Sequence, residues 1–176
     1  MKLSFNRKLF LFLFSFFIYI TAFSQQTVVD TNVLTSYNTA LKLYNNKAYA
    51  AAQKKFIQTK EIAKDNSKLK ADASYFDAMC AIKLNQTEAD KKVLSFVEEN
   101  PTSNKKNKAF FNVGNYYFAN KKAAYSLKWF QKVNVDKLSK ENLKELNFKM
   151  GYAFLVTDNL TLSKERFLPL INDAKY

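Results

Sequence analysis

Cys80 is the one thiol in the chain, and no histidine stands anywhere to take a proton from it. A thiol is a nucleophile only as the thiolate, which needs a neighbouring base or cation. Without histidine, the commonest general base and the commonest metal ligand are both missing. A single cysteine cannot close a disulfide within the chain. The apolar residues around Cys80 recur at helical spacing, so the expectation is a small buried filler rather than a reactive group. The acids offer little more. Glu98–Glu99, Asp136 and the stretch Glu141 to Glu145 are adjacent or at helix-surface spacing, the pattern of solvated faces. No glycine-rich phosphate loop and no Ser/His/Asp set exists. This reading leaves no catalytic residue, no metal ligand and no cofactor, and makes an enzyme the remotest of the functional classes.

What remains is a chain built to present surfaces, and its composition says from which elements. Of 176 residues only two are glycine and two proline. Average usage would put about 12% of residues in those two types. Glycine and proline are the residues that helix interiors tolerate worst, so their scarcity predicts mostly helix. Seventeen Phe and ten Tyr supply an aromatic core that a disordered chain would lack. The formal charge of +13 is almost all lysine, with Arg7 and Arg166 the only arginines. Lysine-studded, solvated helix faces account for most of that charge. A functional basic surface, facing anionic components of a cell envelope, is the alternative.

The first two dozen residues read as an address. Lys2, Arg7 and Lys8 precede the apolar run from Leu9 to Ile20, and Thr21-Ala22-Phe23-Ser24-Gln25 follows. That is the layout of a secretory signal peptide, with Ala22 and Ser24 suited to a cleavage after Ser24. The apolar run falls short of the roughly 20 residues that a spanning helix needs, so no permanent transmembrane span is expected after cleavage. No cysteine follows the run to carry a lipid. Cleavage removes three positive charges and leaves +10. An exported, periplasmic or outer-membrane-associated chain is expected not to meet nucleic acid. Residues 25–32 form a short linker.

Beyond the linker the chain repeats itself. Phe56, Val93, Phe130 and Phe167 are spaced by 37 residues each time, in the settings QKKF, DKKV, LKWF and KERF. In residues 109–133, Phe110, Val113, Gly114 and Tyr117 fall on one helical face, and Tyr125, Trp129 and Val133 on the next. Asn120, Lys121 and Lys122 make a short polar turn between them, giving an αα-hairpin. The spacing predicts helices at 32–46 and 48–64, 68–84 and 87–99, 103–120 and 122–134, and 140–157 and 160–174. The loops fall at Asn100–Ser103 and Val135–Ser139. Both glycines, Gly114 and Gly151, take the same repeat position. The physical reason is a close approach of the two helices where a Cβ would clash. The second unit places Met79 in that small slot after a turn about two residues shorter, which predicts a splayed or repacked hairpin. Pro169 lies inside the last helix, and a kink or break is expected near Leu168.

This pattern resembles the tetratricopeptide repeat. The family's roles fall on Phe110, Val113, Gly114, Tyr117, Ser126, Phe130 and Val133. The fourth unit repeats them with Met150, Gly151, Phe154, Ser163 and Phe167. The first shows Ala40, Tyr49, Ala52, Phe56 and Ile62, and the second Tyr75, Ala78, Ala89, Val93, Phe96 and Pro101. The resemblance covers residues 33–176 as about four helix pairs (33–66, 72–101, 107–136 and 144–176), with repeats longer than the usual 34 residues. It implies an all-α fold, an αα-hairpin superhelix or solenoid, with ligand contacts from recurring positions of each first helix. Those positions map to Tyr37, Leu41 and Tyr44; to Phe76, Cys80 and Lys83; to Phe111, Asn115 and Phe118; and to Phe148, Tyr152 and Leu155. Asn115 matches an Asn that commonly holds a ligand backbone, while the basic clamp for a terminal carboxylate is absent.

The implied function is an exported scaffold of the cell envelope that binds an extended peptide or another protein, as in the amino-terminal part of long exported tetratricopeptide proteins. The alternative is an outer-membrane assembly or peptidoglycan-associated accessory factor. Repeat arrays need a polar cap at each end. The last hairpin runs through Phe167, Leu168, Leu170 and Ile171, so further repeats or self-association are expected to cover it.

Overall fold

The computed structural model describes residues 31–63 and 67–173. The signal peptide expected at 1–24 lies outside the described residues, as does all but the end of the linker. Among the described residues the chain is all helical. The first helix, α1, is described over 31–45. It is followed by α2 (Tyr49–Ile62), α3 (Ser67–Lys83), α4 (Ala89–Glu99), α5 (Lys105–Ala119) and α6 (Ala123–Phe130). A short 3-10 turn at Val135–Lys137 leads to α7 (Lys140–Leu155) and α8 (Leu160–Asp173). These are four consecutive αα-hairpins, with helix limits within a few residues of the sequence reading except in α6. No described helix is long and apolar enough to cross a membrane.

The chain divides into two compact units, Met1–Ala73 and Ser74–Tyr176, with the division inside α3. In the first unit, α1 and α2 close through Val33, Tyr37 and Ala40 on one side and Ala52, Phe56 and Thr59 on the other, all 8% exposed or less. Ala40 and Ala52 keep the contact tight, Tyr37 meets Phe56 edge-on at 6.0 Å, and the Ser36 and Thr59 hydroxyls share a hydrogen bond of 2.9 Å. The second unit contains the rest of α3 and the helices after it. Its core includes Val93, Phe96, Val113, Trp129, Phe130, Leu146 and Met150.

All four turns within hairpins are built alike. Lys47, Asn85, Lys121 and Asp158 carry left-handed φ values of 61°, 52°, 59° and 59°. After each, the next backbone N–H reaches back to a carbonyl in the last helical turn: Ala48 to Leu43, Gln86 to Ala81, Lys122 to Tyr117 and Asn159 to Phe154, at 2.9–3.0 Å. This is the Schellman termination, made here without glycine. It also fixes the repeat register. Counting back seven residues from each left-handed residue gives Ala40, Ala78, Gly114 and Gly151. The small slot of the second hairpin is therefore Ala78, only 1% exposed, and not Met79. From left-handed residue to the core position Phe56, Val93, Phe130 or Phe167 the count is nine, eight, nine and nine. The second turn is one residue shorter, not two, and the expected splaying loses its premise.

The glycines do what their position implied. A Cβ on Gly114 would stand 2.3 Å from a ring carbon of Phe130, and one on Gly151 would stand 2.9 Å from the ring of Phe167. In the fourth hairpin the Ser163 hydroxyl also donates to the Gly151 carbonyl at 2.9 Å. Two further expectations, on α6 and α8, differ from the structure. The helix α6 stops at Phe130 instead of 134, because the Asn107 side chain clamps the backbone of Asn134. Asn134 N–H donates to Asn107 Oδ1 at 2.7 Å, and Asn107 Nδ2 donates back to its carbonyl at 3.0 Å. The chain is thus drawn into an extended residue and then the 3-10 turn in what was read as loop. Of the kink or break expected near Leu168, the break is overturned: α8 continues through Pro169 to Asp173. Proline removes the bond to the Glu165 carbonyl and its ring crowds that oxygen, but both residues are exposed, so the oxygen can tilt out to water.

Candidate functional site

The positions implied as ligand contacts begin on α1. There Tyr37 is 8% exposed and spent on Phe56, Leu41 is half-buried, and Tyr44 packs edge-on to Tyr49 at 5.4 Å. These three serve the hairpin interior as much as any surface. In the second unit the corresponding residues differ in their exposure. Cys80 is fully buried, and burial, with Asp77 second, pushes its thiol up to about 12. It is a core filler and no nucleophile. Phe111 is 7% exposed and packs on Phe130, again as core. Phe76 is half-buried against Tyr75, with the Lys105 ammonium over its ring at 5.8 Å.

A cluster of these positions comes together on α5 and α7. Phe118 meets Tyr152 edge-on at 5.7 Å. Between them the Lys149 ammonium stands 5.6 Å over the Phe118 ring, donates to Asn115 Oδ1 at 3.0 Å, and pairs with Glu145 one turn back on its own helix. The Asn115 carbonyl oxygen is therefore occupied by a lysine. Lys83 of α3 extends the row, lying over the Tyr116 ring at 5.4 Å. The sequence reading missed Lys149 and Tyr116. Lys149 lies one residue after Phe148 and three before Tyr152, a place from which a lysine on α7 reaches the preceding first helix.

From this cluster α7 runs outward as an apolar stripe. Phe148, Tyr152 and Leu155 are 52%, 47% and 45% exposed. They sit at i, i+4 and i+7, so they share one face of the helix. Phe148 still touches Phe167 of α8 at 6.1 Å, which fixes its ring. On α8, Leu168 and Ile171 of the expected uncovered face are likewise exposed. The face can bury apolar side chains of another molecule, and the Lys149–Asn115–Glu145 group sets polar atoms beside it. Among the described residues no group of three or more His, Cys, Asp or Glu side chains converges to hold a metal ion.

A second polar cluster joins α4, α5 and α6. The Tyr117 hydroxyl donates to Asp90 Oδ1 at 2.7 Å, and Lys128 stands 3.9 Å from the other oxygen. Burial first, then that hydrogen bond, raises the Tyr117 pKa. The tyrosine stays protonated and the group acts as a tie between hairpins. No protein-family model, curated protein or solved structure matches this chain.

Proposed function

We propose that this chain is an exported tetratricopeptide-type scaffold of the cell envelope, which binds a protein or an extended peptide. The observation that carries the reading is the stripe of Phe148, Tyr152 and Leu155, held open on α7 and continued by Phe118 on α5. Large exposed aromatics aligned on one rigid helix are the kind of surface that marks an interaction site. The hairpins, their common turn and the recurring small slots support the tetratricopeptide assignment, and the basic, apolar, small-residue order of residues 1–24 supports export.

The test has two parts. Tagged full chain, expressed in an envelope-bearing bacterium, should be recovered with an amino terminus at Gln25. Affinity capture from that envelope should yield a defined partner that is lost with Tyr152→Glu or Leu155→Glu and retained with Lys54→Glu. An unprocessed amino terminus sinks the export reading. A partner indifferent to both α7 variants sinks the binding surface.

A further inference from the structure

Four lysines without an ion pair among the described residues line one pocket of the second unit. The pocket, about 970 Å³, opens between the segment Pro101–Asn112 and the segment Lys132–Asn142. Lys106 and Lys108 stand on its α5 side, Lys132 and Lys137 on the other. Among the described residues none of the four ammonium groups makes an ion pair, a hydrogen bond or a ring contact. Nor, among the described residues, does an Asp or Glu line the pocket. The nearest acid on α7, Glu141, is already engaged: its own backbone N–H and then the Ser139 hydroxyl lower its pKa, with Lys144 and Lys140 adding to the effect. The two rims are not loose, because the paired Asn107–Asn134 bonds tie them together.

We infer that this pocket binds a carboxylate-rich peptide segment. Four ammonium groups around one pocket add to a positive potential there, and a ligand that brings carboxylates is drawn to it. The lining favours carboxylates on a peptide over phosphate. It has no arginine, the side chain whose fork matches a phosphate in two bonds, and its lysines are dispersed as single point charges over both rims. The Asn104 and Asn142 amides, which offer donor and acceptor alike, suit a peptide backbone. The edges of Phe110 and Phe111 provide an apolar floor. The volume lies near the upper end of the roughly 300–1,000 Å³ spanned by compact ligand pockets, room for several residues. Of the residues implied as ligand contacts only Phe111 is shared, so the inference stands apart from the α7 stripe.

A chain this basic attracts any polyanion, and the experiment must separate a site from a diffuse field. Fluorescein-labelled octaglutamate is titrated with the full chain at low salt and followed by anisotropy. Lys108→Gln, Lys132→Gln and Lys137→Gln together should weaken binding about tenfold or more. A control with the same charge change, Lys54→Gln, Lys121→Gln and Lys164→Gln, should weaken it by less than about threefold. Equal losses in the two triples overturn the site. So does tight binding of pyrophosphate or of phosphatidylglycerol vesicles that octaglutamate fails to displace. If the pocket triple loses its helical circular dichroism, Lys137→Glu, exposed and outside every α-helix, replaces it with the same expected direction.

Discussion

Gly114 and Phe130 occupy each other's space: a Cβ at Gly114 would lie 2.3 Å from one ring carbon and 2.4 Å from the next. Phe130 is 1% exposed and cannot swing away. Gly114→Ala should therefore destabilise by about 1–3 kcal/mol, the usual range for overpacking, despite alanine's better helix propensity. Gly151→Ala should cost less, because its clash at 2.9 Å is with the far edge of a ring that is only half-buried. Met79→Leu, close to volume-conserving, should cost under about 1.5 kcal/mol. Denaturant midpoints rank the three, and equal effects of the two glycine variants would remove the distinction.

The left-handed lysines invite a stabilising change. An L-residue in that conformation costs about 1–2 kcal/mol, and glycine costs nothing there but loses about 0.5–1 kcal/mol of chain entropy. Lys47→Gly and Lys121→Gly should each raise stability by about 0.5–1 kcal/mol. Asn85→Gly should gain less, since asparagine tolerates this conformation better. A loss of stability in either lysine variant contradicts the turn geometry.

Lys92 of α4 grips both carboxylate oxygens of Asp77 on α3, at 3.0 and 3.1 Å. The Asp77 side chain is 4% exposed and that of Lys92 37%. Removing the lysine leaves a buried carboxylate short of its cation, so Lys92→Met should cost about 1.5–3 kcal/mol. Adding Asp77→Asn to Lys92→Met should recover part of that loss. A double-mutant cycle with no coupling would refute the pairing.

Alkaline pH should weaken the fold. Burial, with Asp72 second, pushes Tyr37 up to about 12, and burial, with Asp77 second, does the same to Cys80. Both groups are neutral when protonated, and in the unfolded chain they ionise near about 10 and 8.5. Between those values and about 12 the folded state holds protons that the unfolded state has released. Stability is thus fully present below about pH 8.5 and falls as pH rises. Urea midpoints should decline above about pH 9, and Cys80→Ala should flatten the first part of the decline. A midpoint rising over that range contradicts the burial of both groups.

The helices and their pairing were legible because packing imposes a period on apolar residues, and Phe56, Val93 and Phe130 kept it without error. The turns were less so. A helix end is normally betrayed by glycine, and here lysine, asparagine and aspartate hold the left-handed position, so nothing flagged the register that places Ala78 in the small slot. The early end of α6 was hidden for another reason. It depends on Asn107 reaching Asn134 across 27 residues, and a polar side chain announces no partner. At the candidate site, exposure was the illegible quantity. The same repeat position is core at Phe111 and open at Phe148, because the depth of packing around each hairpin, not its own sequence, decides which aromatic is covered.

Trp129 is the only indole in the chain, fully buried in α6 against Phe110 at a centroid distance of 6.1 Å. Intrinsic emission excited at long ultraviolet wavelength therefore reports from one hairpin, while far-ultraviolet ellipticity sums over all of them. Repeat arrays unfold as coupled neighbours rather than of necessity in one step. The separation between the two melting curves measures directly how strongly one hairpin's order depends on the rest.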